Sequence, residues 1–317
     1  MNSALVTLEE IRAADARIRP LARRTPTIDV DDDLTLKCEN FQPMGAFKIR
    51  GALNMLGQLT ESARAAGVVT YSSGNHGQAV SLAARRFGVT AVIVMPVSAT
   101  RVKVDAVRRY GAEVILEGTT SLHRKARAEA EAATRGLTMV PPFDHPWIIA
   151  GQGTAGIELL EQRPTVKTVY VPMGGGGLIS GVATAIKTQR PDVRIVGVEP
   201  AGAAKMTAAK AAGQPVTLEK GESIADGLIT VRPGELTFEH VRAFVDELVT
   251  VTDDAIADAV RWLFREARLV AEPSGAASVA GARAARAAGR LGPETVAIVS
   301  GGNVGPQDFA RYIAAEP

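Results

Sequence analysis

A run of four glycines is the first feature of this sequence whose spacing suggests chemistry: Gly174, Gly175, Gly176 and Gly177. The run follows an apolar segment that predicts a strand (166–173) and precedes a segment with helical periodicity (179–188). Glycine tolerates positive φ, so several N–H groups can point at one anion, and the helix N-terminus behind them adds partial positive charge. We interpret this glycine loop as a phosphate site, with a flexible turn as the alternative.

The glycine loop does not match the common nucleotide motifs. No Gly-Lys-Ser/Thr follows it, which excludes a Walker loop. In a dinucleotide fingerprint, a third glycine would stand where Ile179 or Ser180 is found. Glu199 ends the next predicted strand and is placed where it could bind a ribose, so an NAD-dependent oxidoreductase stays open as a rival interpretation.

A second polar loop lies between a predicted strand (67–71) and a predicted helix (79–87). Its polar residues are Ser72, Ser73, Asn75 and His76. Hydroxyl, amide and backbone donors at a helix start suit a carboxylate, whereas the plain alternative is N-capping. His76 taken alone is expected to be a structural hydrogen-bonding residue.

Lys48 stands between the apolar residues Phe47 and Ile49, near the start of a predicted helix (49–59). Desolvation and a helix N-terminus both lower the pKa of a lysine, which frees its amine to act as a nucleophile. The alternative is a snorkelling lysine on an amphipathic helix.

Two more segments carry polar side chains at points where strands end or helices begin. Ser300 ends the predicted strand 295–300, and the glycines that follow it permit close approach of a ligand. Glu272 and Ser274 come just before an Ala-rich helix. A simple turn and helix capping are the respective alternatives.

Short apolar runs alternate with Ala- and Arg-rich amphipathic stretches from about residue 67 onward, which predicts an α/β fold with parallel sheets and helices on both faces. The stretches 98–110, 121–135 and 253–270 are predicted helices. The predicted strands are 67–71, 90–96, 112–116, 137–141, 166–173, 193–200, 247–251 and 295–300. Ligands bind beyond the carboxyl ends of such strands, where the polar loops stand.

Composition excludes several other classes of protein. The 317 residues carry a net charge of +2 with both signs interspersed and only 4% aromatics, unlike a nucleic-acid binder. No apolar run approaches the roughly 20 residues of a membrane helix, and the first ten residues lack the basic region of a signal peptide. The single cysteine, Cys38, suits the reducing cytoplasm. The four histidines form no zinc motif.

Taken together, six motifs resemble the pyridoxal-phosphate (PLP) enzymes of the tryptophan-synthase-β type (fold type II), and within them the serine/threonine dehydratases and serine racemases. The resemblance runs from about Thr7 to Asn303. The motifs are Gly-Ala-Phe-Lys-Ile-Arg-Gly (45–51), Ser-Ser-Gly-Asn-His-Gly-Gln (72–78), Ile-Ala-Gly-Gln-Gly-Thr (149–154), the glycine loop, Glu-Pro-Ser-Gly-Ala (272–276) and Ser-Gly-Gly-Asn (300–303).

The resemblance implies how the cofactor would be held. Lys48 would bind PLP as a Schiff base and, once released by substrate, act as the base on Cα, while Phe47 would pack beside the ring. The glycine loop would bind the phosphate. Asn75 would contact the 3′-oxygen of the ring, and Ser300 the pyridine nitrogen.

The substrate site is implied in the same way. Ser72, Ser73, Asn75 and His76 would surround the carboxylate of a small hydroxy amino acid, and Glu272 would line the pocket near the ring. A serine at the pyridine nitrogen supplies no compensating negative charge, so charge is relieved by prompt loss of a β-substituent. We expect L-threonine or L-serine to lose water and yield a 2-oxo acid and ammonia.

Two alternative reactions are open within the same family. Racemisation needs an acid/base on each face of Cα, and Ser73 occupies the position that resembles the opposite-face residue of serine racemases. Dehydratases of threo-3-hydroxyaspartate also resemble this pattern, but they need a cation for the second carboxylate, and the sequence does not identify one.

A departure from the family concerns a magnesium site. Racemases of this type resemble one another in a site whose positions fall here on Glu199, Ala203 and Lys205. A charged lysine cannot bind a cation, and its ammonium can replace the charge of the metal, so no metal is expected.

The resemblance also implies the domain organisation. Residues 1–50 and 147–317 would form a large PLP-binding domain, and residues 51–146 a small domain inserted into it. A homodimer is expected from the family.

Overall fold

Two sheets, one of six strands and one of four, form the framework of the computed structural model, which describes residues 4–72 and 74–314. The strands are β1 (Thr27–Asp29), β2 (Leu34–Cys38), β3 (Val68–Tyr71), β4 (Ala91–Met95), β5 (Glu113–Leu116), β6 (Thr138–Met139), β7 (Thr168–Pro172), β8 (Arg194–Pro200), β9 (Glu247–Val251) and β10 (Thr295–Val299).

The helices connect these strands and cover both sheets. They are α1 (Leu8–Ile18), α2 (Lys48–Gly57), α3 (Glu61–Ala66), α4 (Asn75–Phe87), α5 (Arg101–Arg108), α6 (Ser121–Arg135), α7 (Pro146–Gln162), α8 (Gly177–Gln189), α9 (Lys205–Ala212), α10 (Glu235–Phe244), α11 (Asp253–Ala267), α12 (Pro273–Ala287) and α13 (Pro306–Ala314). Short 3-10 turns occupy Glu39–Phe41 and Ala201–Ala203. None of the helices in the described ranges is long and apolar enough to cross a membrane.

The larger sheet has the order β1-β2-β10-β7-β8-β9 and is parallel except for β1, which runs antiparallel to β2. β10 is inserted in its middle, with Thr295 opposite both Leu34 and Thr168. Along β7, Val169 and Val171 pack on the α7/α8 side while Tyr170 packs on the α11/α12 side. Burial of both faces explains why the central strands are continuous apolar runs.

The smaller sheet has the order β5-β4-β3-β6 and is parallel throughout. Its apolar face packs with one side of α2, where Ala52, Leu53 and Leu56 join the same core as Val68 and Ile93. The helix that begins at Lys48 therefore lies at the border between the two sheets. The assignment of residues 51–146 to a small domain stays a prediction.

The predicted α/β fold with parallel sheets and helices on both faces is confirmed. The predicted strand 137–141 is shorter than expected, since only β6 pairs in the ladder. β1 and β2 were missed because β1 has three residues and β2 contains Lys37, whose charge interrupts the apolar pattern. The predicted helix 79–87 begins earlier, at Asn75.

A buried cluster of charges explains how Lys37 is accommodated and fixes the first turn of α2. Arg50 donates to Glu39 at 2.7 Å (Nε to Oε2) and to Glu158 at 2.8 Å (Nη2 to Oε2), and Lys37 donates to Glu158 at 2.7 Å. Arg50 and Glu39 are at most 1% exposed. The charges of Lys37 and Arg50 balance those of Glu39 and Glu158. The guanidinium of Arg50 outweighs the effect of burial and lowers the pKa of Glu39 to about 2.

We predict that Arg50→Met lowers the free energy of unfolding by about 3–5 kcal/mol, because it leaves Glu39 and Glu158 buried without their main partner. Chemical denaturation measures this loss. Arg286→Met is the matched control, since it removes a bidentate but half-exposed contact with Asp31 and should cost far less. Equal losses in the two variants would contradict the importance of the buried cluster.

Candidate active site

Two loops that are distant in sequence pair through their backbones and place Lys48 beside Ser300. The N–H of Phe47 donates to the carbonyl of Ser300 at 3.0 Å, and Ala46 forms an antiparallel bridge with Gly301. Gly45 has φ +83°, and a Cβ there would lie 2.4 Å from Oδ1 of Asn303, so this position requires glycine. The start of α2 and the carboxyl end of β10 are therefore joined rigidly.

The amine of Lys48 is held at this junction. Its Nζ donates to the carbonyl of Pro142 at 2.6 Å and lies 5.3 Å from the centroid of the Phe47 ring. Burial lowers the pKa of Lys48 to about 8. Roughly a tenth of the amine is thus unprotonated at pH 7, far more than for an ordinary lysine, as a nucleophile or a base requires.

The glycine loop lies between β7 and α8, as the sequence predicts. Gly176 has φ +100°. A Cβ on Gly175 would come within 2.3 Å of the Phe143 ring, and one on Gly174 would lie 2.9 Å from the carbonyl of Gly227. Side chains are excluded from the loop, which leaves a backbone cradle at the N-terminus of α8 of the kind that binds phosphate.

The segment that precedes α7 supports the glycine loop, and sequence analysis did not assign it a role. Asp144 accepts three backbone N–H groups at the start of α10, at 3.0–3.1 Å. In the same turn, the hydroxyl of Thr237 donates to the carbonyl of Gly175 at 2.7 Å. No local pattern reveals this support, because the partners of Asp144 are some ninety residues away in sequence.

Asn75, Glu272 and Asn303 form a hydrogen-bonded group between the two sheets. The Nδ2 of Asn75 donates to Glu272 at 2.5 Å, and its Oδ1 accepts from Nδ2 of Asn303 at 2.8 Å. Burial, with Asp226 nearby, raises the pKa of Glu272 to about 8, so this carboxyl is mostly neutral at pH 7. Asn303 belongs to the motif 300–303, but only the structure shows that it orients Asn75.

Ser300 is buried at the carboxyl end of β10, and its hydroxyl makes only a long contact of 3.5 Å to the carbonyl of Ser274. The hydroxyl of Ser274 is not the partner of Ser300, because it accepts from the N–H of Gly227 at 2.9 Å. The hydroxyl of Ser300 therefore retains the capacity for a stronger hydrogen bond to a ligand.

Asn75 and His76 begin α4, and the backbone N–H groups of this first helical turn have no partner within the helix. The hydroxyl of Ser72 accepts from the N–H of Gly74 at 3.1 Å, whereas Ser73 lies outside the described residues. The ring of His76 contacts the carbonyl of Val140 at 3.0 Å, and burial lowers its pKa to about 3. The ring is therefore neutral and structural, as expected for it alone. The roles of these residues toward substrate stay predictions.

Glu199 and Lys205 are both fully buried and contact each other at 3.1 Å. The carboxylate of Glu199 also accepts the N–H groups of Met206 and Thr207 at 2.9 and 2.8 Å. A carboxylate enclosed in this way cannot reach a ribose, which removes the role on which the oxidoreductase alternative depended. Across residues 4–72 and 74–314, no group of three or more His, Cys, Asp or Glu side chains is arranged to hold a metal ion.

Comparison with known proteins agrees with this geometry. Residues 16–301 match the family model described as "Pyridoxal-phosphate dependent enzyme". The chain is 38% identical to a serine racemase of Schizosaccharomyces pombe (99% of each chain covered). It is 41% identical to an L-threonine ammonia-lyase of Thermotoga maritima (98% of this chain and 78% of the relative). The structure of maize serine racemase superposes with a TM-score of 0.92 at 39% identity, over 98% of each chain.

The match to the Schizosaccharomyces pombe relative covers 99% of each chain and therefore includes both sheets and the loops of the site. The resemblance drawn from the six motifs is confirmed, and pyridoxal phosphate is the cofactor. The chain belongs to the pyridoxal-phosphate-dependent enzymes of fold type II, within the group that includes serine racemases and threonine ammonia-lyases.

Proposed function

We propose that this protein is an ammonia-lyase that converts L-threonine or L-serine to a 2-oxo acid and ammonia. The observation that carries the proposal is the backbone pairing of Phe47 with Ser300, which joins the start of the Lys48 helix to the strand end that carries the Ser300 hydroxyl. A base for the Cα proton and a weak, uncharged partner for the cofactor ring are thus attached to one junction. The relative named L-threonine ammonia-lyase supports the same activity.

The residues of the site fit pyridoxal phosphate. The glycine loop provides a cradle that a Cβ would fill, and Lys48 provides a buried amine of lowered pKa. Phe47 offers an aromatic face beside that amine, while Asn75 and Ser300 offer polar groups for the ring. When bound, the cofactor supplies an electron-withdrawing ring that acidifies the Cα proton of the substrate.

Lys48, Pro142 and Ser300 have different roles in the elimination. Lys48 removes the proton from Cα, and the carbonyl of Pro142 orients its amine. Ser300 offers a hydroxyl and no compensating negative charge, so the electron pair left at Cα is best relieved by departure of the β-hydroxyl. The departing hydroxyl takes up one proton, equal in number to the one removed from Cα, and leaves as water. The released enamine takes up water and gives the 2-oxo acid and ammonia.

The substrate carboxylate is proposed to bind at the start of α4. The N–H groups of the first helical turn point out of the helix end, and the partial positive charge there favours an anion. The polar residues around this position in the sequence are Ser72, Ser73, Asn75 and His76. His76 would contribute its backbone, because its ring already contacts the carbonyl of Val140.

Serine racemase activity is a second candidate, and the Schizosaccharomyces pombe relative supports it. Racemisation would need Ser73 to exchange a proton with Cα on the face opposite to Lys48. Elimination needs no second acid/base, which is why we place it first.

A third candidate, dehydration of threo-3-hydroxyaspartate, is supported by a cation that sequence analysis did not find. Lys103, on α5, contacts Asp226 at 2.5 Å, and both charges act on the pKa of Glu272. Asp226 directly precedes Gly227, which packs on the glycine loop. Lys103 is therefore our candidate for the cation that would bind the second carboxylate of such a substrate after release from Asp226.

We further propose that the enzyme acts as a homodimer in the cytoplasm. Several large apolar side chains of the region 51–146 are exposed and are candidates for burial against a second copy: Val97, Val102, Leu116 and Leu122. The one cysteine, Cys38, is buried and free, which suits a reducing compartment.

The lowered pKa of Lys48 predicts how the apoprotein takes up its cofactor. Only the unprotonated amine attacks an aldehyde, so the initial rate of PLP capture should rise with pH about a midpoint near 8 instead of near the ordinary lysine value. Stopped-flow absorbance of the lysine-bound cofactor measures this rate. Lys48→Ala is the control and should show neither this absorbance nor turnover; retention of both would contradict the assignment of Lys48.

A panel of L-serine, D-serine, L-threonine and threo-3-hydroxyaspartate separates the candidate reactions. We expect rapid oxo-acid release from L-threonine or L-serine, with no D-serine in the remaining substrate. Ser73→Ala should then keep most of the oxo-acid release. Accumulation of D-serine by the wild type and its loss in Ser73→Ala would instead make Ser73 the second acid/base and the protein a racemase.

Lys103→Met tests the third candidate. If Lys103 binds a second carboxylate, KM for threo-3-hydroxyaspartate should rise about ten-fold, as loss of a charged hydrogen bond predicts, while KM for L-serine stays within about two-fold. Lys125→Met, which removes an exposed pair with Glu129 on α6, is the matched control. An equal change for both substrates would rule out a role in substrate selection.

A further inference from the structure

Lys205 carries a fully buried ammonium whose partners all belong to the backbone or to one carboxylate. Its Nζ donates to the carbonyls of Leu228, Ala203 and Met173 at 2.9, 3.0 and 3.1 Å, and Oε1 of Glu199 lies 3.1 Å away. An ammonium has three N–H groups, and here three carbonyls and one carboxylate use them. These four oxygen partners fix the position of the ammonium relative to the segments that carry them.

These partners come from the carboxyl ends of β7 and β8, from the turn that follows β8 and from a loop farther along the chain. Met173 directly precedes the glycine loop, whereas Leu228 belongs to a loop between α9 and α10. Ala203 lies in the 3-10 turn after β8, and Glu199 is near the end of β8 itself. The ammonium joins the carboxyl ends of two neighbouring strands to the loop that lies over them.

The contacts of Lys205 reach the glycine loop at two further points. Gly227, next to Leu228, places its carbonyl 2.9 Å from the position that a Cβ of Gly174 would take. Met206, next to Lys205, places its Cε 3.1 Å from the corresponding position at Gly176. Gly174 thus packs against the residue before Leu228, and Gly176 packs against the residue after Lys205.

We infer that Lys205 is a positioning residue for the phosphate of the cofactor: its ammonium fixes the entry of the glycine loop and the two segments packed against it. This inference rests on the proposal that the glycine loop binds the phosphate. The ammonium acts through geometry, because Glu199 neutralises its charge and the carbonyl of Met173 lies between it and the loop. Loss of Lys205 weakens the hold on the phosphate and leaves the groups around the ring in place.

The chain offers a matched control in Lys37. Its ammonium is equally buried, and it too has three oxygen partners, the carbonyl of Thr25 at 2.9 Å and side chains of Glu158 and Gln162 at 2.7 and 2.9 Å. None of these partners touches the glycine loop. Removal of either lysine should therefore destabilise the protein, but only one removal should affect phosphate binding.

The experiment compares Lys205→Met with Lys37→Met in titrations of the apoprotein with pyridoxal phosphate and with pyridoxal, which lacks the phosphate. We expect Lys205→Met to raise the Kd for pyridoxal phosphate about ten-fold or more and the Kd for pyridoxal less than about two-fold. Lys37→Met should shift the two Kd values, if at all, in the same proportion, so that their ratio stays within about two-fold of the wild type. Denaturation of both variants shows how much stability each has lost.

Two outcomes would overturn the inference: an unchanged preference for pyridoxal phosphate in Lys205→Met, or the same loss of preference in Lys37→Met, which would trace the effect to stability. If Lys205→Met does not fold, the double variant Lys205→Met/Glu199→Gln removes the unpaired buried charge and is expected to show the same loss.

Gly175→Ala tests the glycine loop separately, because its Cβ would meet Phe143. If Gly175→Ala keeps the preference of the wild type for pyridoxal phosphate, the phosphate assignment of the loop fails. If Gly175→Ala loses that preference and Lys205→Met keeps it, only the role of Lys205 fails.

Discussion

Arg50 bridges Glu39 and Glu158 within the protein, and these carboxylates belong to elements on two sides of α2. Because Lys48 lies in the same helical turn as Arg50, the position of its amine depends on this buried guanidinium. The backbone pairing of Phe47 with Ser300 fixes the same turn from the other direction. Lys48 is thus held by two independent attachments, and the remainder of the site is arranged around it.

Arg50 differs from three other buried ionisable groups, Lys48, His76 and Glu272, in how its burial is compensated. Arg50 is paired closely with carboxylates and keeps its charge, with a raised pKa. Lys48, His76 and Glu272 have weaker compensation, and burial moves the pKa of each toward the neutral form. The site is therefore poor in permanent charge, which allows the phosphate and ring of a bound cofactor to dominate its electrostatics.

Sequence reasoning succeeds here where a local pattern carries the information. The glycine loop between a strand and a helix, Lys48 at a helix start and Ser300 at a strand end all follow from nearest neighbours along the chain. It misses β1 and β2, whose stability comes from pairing with each other and with β10. It also misses the support by Asp144 and Asn303, because a capping carboxylate or an orienting amide gives no signal until its partners meet in space. Lys205 is singled out by the sequence beside Glu199, but its three carbonyl partners are found only in the structure. For His76, the sequence predicts the position at the start of a helix, but only the structure shows that the ring contacts the carbonyl of Val140.

The place of β10 in the larger sheet has a consequence for the biosynthesis of the protein. β10 pairs with β2 on one side and β7 on the other, so these two strands have no contact with each other until it is inserted. The ladder that joins the glycine loop, after β7, to Lys48, after β2, is therefore completed by a strand that is synthesised later than both. Closing such distant contacts is slow, and the nascent chain has no complete cofactor site to offer before that point. Cofactor capture is in this sense a report that β10 has been synthesised and inserted.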